Sequence, residues 1–326
     1  MELFIDQKVW PAAGTFRISR SALTEFHTLW ITLKDGDHIG RGACRPYARY
    51  GDTVSSVTTQ LKDITSHLRT GITPVEIQTL LPPGPARNAL DCALWDLYAK
   101  INNCPIYELL DIPAPQKRQT AYTLSLDTPE NMAEAARNAK DYPLLKIKIG
   151  PKDSIACVKA VCAARPSAAL IVDANEALTA NALPDFYYAL GDLNIALIEQ
   201  PLPAGKDIPN LLPQGRIPFC ADESLHTTKD LTRLKAAGYR AVNVKLDKCG
   251  GLTEALSLMR SAKAEGFLVM AGCMVGSSLA MAPIMILESL ADFIDLDGPL
   301  LLSKDCASGL TYKGPWIHPP RSKLWG

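Results

Sequence analysis

From residue 119 onward, short apolar runs return at a nearly constant interval. They are "QTAYTLSL" (119), "LLKIKI" (144), "ALIVDA" (169), "IALIEQ" (195), "IPFCAD" (217), "RAVNVKL" (240), "FLVMAG" (267) and "DFIDLD" (292). Successive starts lie 25, 25, 26, 22, 23, 27 and 25 residues apart. Each run has the length and composition of a strand. Helix-like stretches separate them. In "PENMAEAARNAKD", Thr128 can cap and Pro129 fits the first turn. "LTEALSLMRSAKAEG" is another, closed by Gly266. Eight strands alternating with helices at this period predict an α/β fold closed into a (β/α) barrel. A doubly wound open sheet more often has six strands, and no G-x-G-x-x-G fingerprint or P-loop supports it.

Residues 1–117 follow a different pattern. "RSALTEFHTLWITLKDGDHIGRGACRPY" predicts paired strands around the turn "DGDHIG". "GPARNALDCALWDLYAKINNC" predicts an amphipathic helix with Ala86, Ala89, Leu90, Ala93, Leu94 and Leu97 on its apolar side. "DIPAPQKRQ" has the composition of a linker to a barrel over 118–298. The Pro-rich residues 299–326 are expected to return and cover the first domain.

Composition narrows the class. With 326 residues, 47% hydrophobic and 21% charged, the chain can bury a sizeable core. Net charge is zero and no basic run appears, so a nucleic-acid partner is not expected. Nine scattered cysteines with no C-x-x-C pair predict free thiols in a reducing compartment. "MELFIDQKVWP" lacks the features of a signal peptide. Residues 267–287 carry no charge and are long enough to span a bilayer, but Gly272, Gly276, Ser277, Ser278 and Pro283 divide them. They read as a buried strand, a loop and a helix, and the expectation is a soluble cytoplasmic protein.

A (β/α) barrel gathers its chemistry at the C-terminal ends of its strands. The charged residues there are Lys146, Lys148, Asp173, Glu199, Asp222, Lys245, Asp295 and Asp297. Strand alternation puts Lys146 with Lys148, Asn243 with Lys245, and Asp295 with Asp297 on shared faces. Leu145, Ile147, Val172 and Val244 fill the other faces, so the charges converge on the barrel mouth. Asp173, Glu199 and Asp222 come from consecutive strands, and three such carboxylates repel unless a cation neutralises them. Oxygen ligands without His or Cys favour magnesium over zinc.

Lysines flank this site on both sides. A free lysine, with a pKa of about 10.4, is a poor base near neutrality. A neighbouring ammonium, burial and a divalent cation together can bring it towards ~7, and Lys146 beside Lys148 supplies one such pressure. A metal between two lysines points to a substrate carboxylate held by the metal and an enediolate formed as the α-proton leaves. One lysine removes the proton and the other returns it on the opposite face. Inversion of a stereocentre is expected, or elimination where a leaving group is present. A Schiff-base aldolase is a competing class, which the aligned carboxylates oppose. A non-catalytic barrel is another, and it leaves the lysines unexplained.

The motifs "KIK" (146–148), "DAN" (173–175), "EQPLP" (199–203), "ADES" (221–224) and "NVKLDKCGG" (243–251), with the helix "ARNALDCALWD" (86–96), resemble the muconate-lactonizing-enzyme subgroup of the enolase superfamily. The resemblance implies an α+β capping domain on a (β/α)7β barrel. It further implies Asp173, Glu199 and Asp222 as ligands of one Mg²⁺ per subunit. Lys148 and Lys245 would be the acid/base pair, with Lys146 tuning Lys148. "DLDG" (295–298) is most similar to the dipeptide epimerases, where two such acids bind the α-ammonium of a dipeptide. A helix N-terminus for one acid and an ion pair for the other is the alternative. Arg20 matches the position that holds a glutamyl side-chain carboxylate in that family. "CRPYARYGD" (44–52) resembles a loop that closes over substrate. The implied activity is epimerisation of L-Ala-D/L-Glu-type dipeptides from cell-wall peptides, with homo-oligomerisation left open. Other Lys–Lys members, namely o-succinylbenzoate synthases, N-acylamino acid racemases and muconate cycloisomerases, share the core machinery but would not need the Asp295/Asp297 pair.

Overall fold

Three antiparallel strands open the chain: β1 (Glu2–Ile18), β2 (Ser21–Asp35) and β3 (His38–Cys44). The structure is a computed structural model and describes residues 1–69, 71–206, 208 and 216–326. The β2–β3 turn falls within "DGDHIG", as the alternation predicts. β1 is not among the predicted strands. Most of its residues are exposed or half-buried, and its register shifts between Pro11 and Phe16, so its alternation is faint. Ile18 pairs with Ser21, which leaves Ser19 and Arg20 at the tip of a tight hairpin.

The helix Pro85–Asn102 buries the predicted apolar side against β2 and β3. It also buries Arg87, Asn88, Asp91 and Asp96, because its other side docks on the barrel. Arg87 donates to Cys249 O (2.6 Å) and Gly250 O (3.1 Å), and Asn88 Nδ2 donates to Asp247 Oδ1 (2.7 Å). Thr253 donates its N–H and hydroxyl to Asp91. Gly250 and Gly251 permit this approach. Their φ values are +88° and +114°, and a Cβ on Gly251 would stand 2.5 Å from Asp91 Oδ2.

After β4 (Arg118–Gln119) the chain builds eight parallel strands: β5 (Tyr122–Leu124), β6 (Leu144–Lys148), β7 (Ala169–Asp173), β8 (Ile195–Glu199), β9 (Phe219–Ala221), β10 (Ala241–Val244), β11 (Leu268–Gly272) and β12 (Phe293–Asp295). They pair in sequence order, and the Ala121 N–H donates to Ile294 O at 2.8 Å to close the ring. Helices Pro129–Asn138, Ser154–Ala164, Leu183–Ala189, Leu231–Ala236, Leu252–Ala264 and Ser278–Met285 surround it. Thr128 caps the first, with Pro129 in its first turn. Between β8 and β9 no helix occurs among the described residues. Ala121, Ile171, Leu197, Cys220, Ala241 and Met270 fill the ring interior as one apolar layer.

β13 (Tyr312–Lys313) and β14 (Trp316–Ile317) form a small sheet with β4. Trp325 Nε1 then donates to Cys92 O (3.0 Å), and the Gly326 N–H donates to Asp96 (2.7 Å). Residues 267–287 divide into β11, a loop and a helix, and no helix among the described residues is long and apolar enough to cross a membrane. All nine cysteines are free thiols.

Candidate active site

Parallel register sets the site. Lys148 lies beside Asp173 and Asp173 beside Glu199, while Glu199 faces Cys220, so Asp222 follows just past the end of β9. Ligand oxygens of Asp173, Glu199 and Asp222 lie within 4.8 Å of one another, and all three residues are buried. The backbone beyond them is unusual: Asn175, Glu176 and Gln200 adopt left-handed conformations directly after Asp173 and Glu199.

Four lysines meet four carboxylates here. Lys146 Nζ lies 2.7 Å from Asp295, 2.8 Å from Glu199 and 3.3 Å from Asp173. Lys148 contacts Asp173 at 2.6 Å, Lys245 contacts Asp222 at 2.7 Å, and Lys248 contacts Asp222 at 2.6 Å. Lys248 also donates to Asn243 O at 3.0 Å. Asn243 Nδ2 donates to Glu199 Oε1 at 2.7 Å. Glu199 Oε2, though close to Lys146, makes no aligned hydrogen bond.

Electrostatics follow from the pairing. Burial pushes the Asp173 carboxyl up, but Lys148 and Lys146 outweigh it and hold the group down at about 2. Asp222, between Lys245 and Lys248, is held well below the usual range against the same burial. Glu199 carries the strain of three adjacent acids: burial and Asp173 push it up to about 7. The expectation of lysines lowered by a neighbouring ammonium is reversed for two of them. Burial opposes charge on Lys146 and Lys245, yet nearby carboxylates raise both above the ordinary lysine value. The residues fit a hard divalent cation: three buried carboxylates with one poorly bonded oxygen form an all-oxygen donor set.

A cavity of about 60 Å³ opens on this cluster. Lys148, Lys245 and Asp222 line it from the barrel, and Arg20, Arg45 and Tyr47 line it from the cap. A larger cleft of about 590 Å³ lies between Ala13–Phe16 and Tyr122–Ser125, but no charged side chain lines it. The cap loop is fastened to the barrel. Arg49 makes a bidentate pair with Glu176 (2.8 and 2.7 Å), and Tyr50 packs edge-on against His226.

All nine sequence-predicted residues are at or beside this mouth, with differing partners. Asp295 pairs with Lys146, whereas Asp297 accepts the Thr123 N–H at 2.6 Å and precedes a short 3₁₀ turn. Burial and Asp295 push Asp297 up to about 7. Arg20 donates to Glu223 (2.7 Å), Asn175 O (2.9 Å) and Tyr47 OH (3.2 Å). Sequence reasoning assigned nothing to Lys248, Glu223, Glu176 or Arg45. Lys248 left a trace, as a lysine one helical turn after Lys245 in an apolar motif. The others depend on contacts between cap and barrel.

Comparison with known proteins agrees with this architecture. Residues 130–299 match the profile "Enolase C-terminal domain-like", and residues 1–111 match "Mandelate racemase / muconate lactonizing enzyme, N-terminal domain". An N-acetyl-D-glutamate racemase from Pseudoalteromonas sp is 45% identical, covering 91% of this chain and 94% of that protein. The L-Ala-D/L-Glu epimerase of Escherichia coli (strain K12) is 40% identical, covering 96% and 98%. A crystal structure of an enolase family member from Agrobacterium tumefaciens, with homology to dipeptide epimerases and with bound sodium and L-Ala-L-Glu, superposes with a TM-score of 0.95. It is 44% identical and 99% of each chain is covered. On this evidence the chain belongs to the enolase superfamily, with the two-domain organisation of its mandelate racemase and muconate lactonizing enzyme members.

Proposed function

We propose that the protein is a magnesium-dependent epimerase of L-Ala-D/L-Glu-type dipeptides that inverts the α-carbon of the C-terminal residue. One observation carries this reading. Lys148 ends β6 and Lys245 follows β10, four strands apart in an eight-strand ring, and both line one cavity beside three buried carboxylates. Two amines facing each other across a bound α-carbon suit removal of its proton on one side and delivery on the other. Asp173, Glu199 and Asp222 would hold the magnesium, which supplies a charge to polarise the substrate carboxylate and stabilise the negative charge developing as the proton leaves.

Charge balance supports a free lysine base. Four lysines match four carboxylates in the ion-paired cluster. A bound dication would leave two positive charges in excess. The substrate carboxylate offsets one, and loss of a proton from a lysine offsets the other. Lys146, held by Asp173, Glu199 and Asp295, is the fixed charge next to Lys148. A cytoplasmic enzyme handling cell-wall peptide fragments is the setting this reading implies.

The 45% identical racemase favours a second reading, racemisation of an N-acylated glutamate by the same lysines. Asp297 favours the dipeptide. It is a buried carboxylate beyond the reach of Lys146's direct ion pairs, and a free α-ammonium gives it a countercharge that an acyl group does not.

The test is L-Ala-L-Glu turnover in D₂O with Mg²⁺, followed by NMR. Lys148→Ala and Lys245→Ala should each lower epimerisation at least ~100-fold, the contribution of one proton-transfer group. Each should still exchange the α-proton of a single epimer. Epimerisation retained in both variants would refute the two-base reading.

A further inference from the structure

The cap brings three guanidinium groups to the mouth of the site, and two already have carboxylate partners. Arg49 is paired bidentately with Glu176. Arg20 is paired with Glu223 at 2.7 Å, approaches Glu176 at 3.4 Å, and donates further to Asn175 O and Tyr47 OH. These two cations and two anions balance, and Arg20 has little donor capacity left for a ligand.

Arg45 is different. Its backbone N–H is fixed by Asp247 Oδ1 at 3.1 Å, and Asn88 holds that oxygen in turn. Its guanidinium carbon lies 4.7 Å from the Phe26 ring centroid and 5.5 Å from that of Tyr47, so aromatic faces set its plane. Among the described residues, no carboxylate or carbonyl accepts a hydrogen bond from its guanidinium. Burial lowers its pKa, opposed only by weaker attraction to Tyr47, Asp247 and Cys273. It lines the same narrow cavity as Lys148 and Lys245.

A planar cation set against aromatic rings, lining the reaction cavity and without a protein acceptor for its guanidinium among the described residues, suits a carboxylate that arrives with the ligand. We infer that Arg45 is the specificity-determining residue for the substrate's side-chain carboxylate. Arg20, held by Glu223, Asn175 and Tyr47, is then a positioning residue that ties the β1–β2 hairpin to the barrel. The expectation that Arg20 performs that recognition is the competing assignment, and Arg20→Gln in the assays below tests it: loss of the glutamyl preference there but not in Arg45→Gln would overturn the inference. The inference rests on the proposed function only for the substrate that carries the carboxylate, and a dipeptide and an N-acylglutamate both supply the same glutamyl side chain.

Two readouts with Mg²⁺ present separate this inference from the reading beneath it. The first is kcat/KM for L-Ala-L-Glu against L-Ala-L-Gln. The second is calorimetric binding of glutarate against glutaramate, which needs no turnover. Arg45→Gln should lower kcat/KM for L-Ala-L-Glu about 10- to 150-fold, the equivalent of one charged hydrogen-bonded contact. The loss on L-Ala-L-Gln should be clearly smaller, and an unchanged thermal-unfolding midpoint shows that the variant folds. The preference for glutarate should vanish in Arg45→Gln and persist in weakened form in Arg45→Lys.

Equal losses on both dipeptides, or a glutarate preference that survives Arg45→Gln, would overturn the inference while leaving the epimerase reading standing. So would the absence of any glutarate preference in the unmodified protein. If the unmodified protein epimerises neither dipeptide yet prefers glutarate through Arg45, the epimerase reading fails and the inference stands.

Discussion

Asp297 offers the sharpest separation of substrates. Asp295 already has Lys146 at 2.7 Å, whereas Asp297 accepts the Thr123 N–H. The Asp297→Asn change is conservative, because the amide oxygen can still accept that N–H while the NH₂ replaces the other carboxylate oxygen. What disappears is one buried negative charge. An ammonium about 4 Å from it gains roughly 4 kcal/mol at an effective dielectric of 20. A charged hydrogen bond measured by mutation is worth about 1.5–3 kcal/mol. A loss of about 2–4 kcal/mol corresponds to a ~30- to ~900-fold drop in kcat/KM for L-Ala-L-Glu. N-acetylglutamate has no ammonium, and its turnover by the variant should hold or rise.

Acidity gives a second signature. Burial and the Asp295 charge raise Asp297 to about 7, so it takes up a proton and loses its charge as pH falls through that value. The dipeptide's α-amine, with a pKa near ~8, loses its charge as pH rises. Dipeptide kcat/KM should therefore peak between the two, and its acid limb should move in Asp297→Asn. Polarimetric assays from pH 5.5 to 9 on both substrates would check this. Equal losses on the two substrates, or an unchanged acid limb, would refute a role for Asp297 in binding the ammonium.

Two further outcomes follow from the partners described. Lys248→Met removes a buried ammonium from Asp222 and Asn243 O while conserving volume, and should cost about 3–5 kcal/mol of stability. Urea unfolding in EDTA would measure it, and an unchanged midpoint would show that the contact contributes nothing. Glu176→Gln loosens the bidentate hold on Arg49, a partly exposed pair worth about 0.5–1 kcal/mol. KM for L-Ala-L-Glu should rise about 2- to 5-fold, and hydrogen exchange at residues 45–52 should accelerate. Unaltered exchange would rule out Glu176 as the fastening of that loop.

The barrel was legible because its signal is periodic. Strands buried on both faces need continuous apolar runs, and the helices between them fix the interval, so eight starts could be read without any contact being known. Lys146, Lys148, Asp173 and Glu199 stood out because a charge within such a run has one place to go. The cap was less legible. β1 is too exposed to alternate clearly, and the buried polar side of the helix Pro85–Asn102 finds its partners at residues 247–253, about 160 positions away.

Pairing was hidden for a further reason. Sequence can count lysines and carboxylates at strand ends, but a count does not say which ammonium belongs to which acid. In the folded chain Lys146 on β6 reaches past β5 to Asp295 on β12, while Asp222 takes both Lys245 and Lys248. This allocation neutralises Asp295 and leaves Asp297 as the acid of that pair without a lysine. The two acids that looked equivalent in "DLDG" are therefore unequal in their partners: Asp295 has the Lys146 ammonium and Asp297 the Thr123 N–H. The same reasoning separates the arginines, since Glu223 occupies Arg20 and, among the described residues, no carboxylate occupies Arg45. On the proposed reading, specificity follows from which charges the fold leaves unpaired, and that depends on the packing of strand ends and of cap on barrel, which no local stretch of sequence encodes.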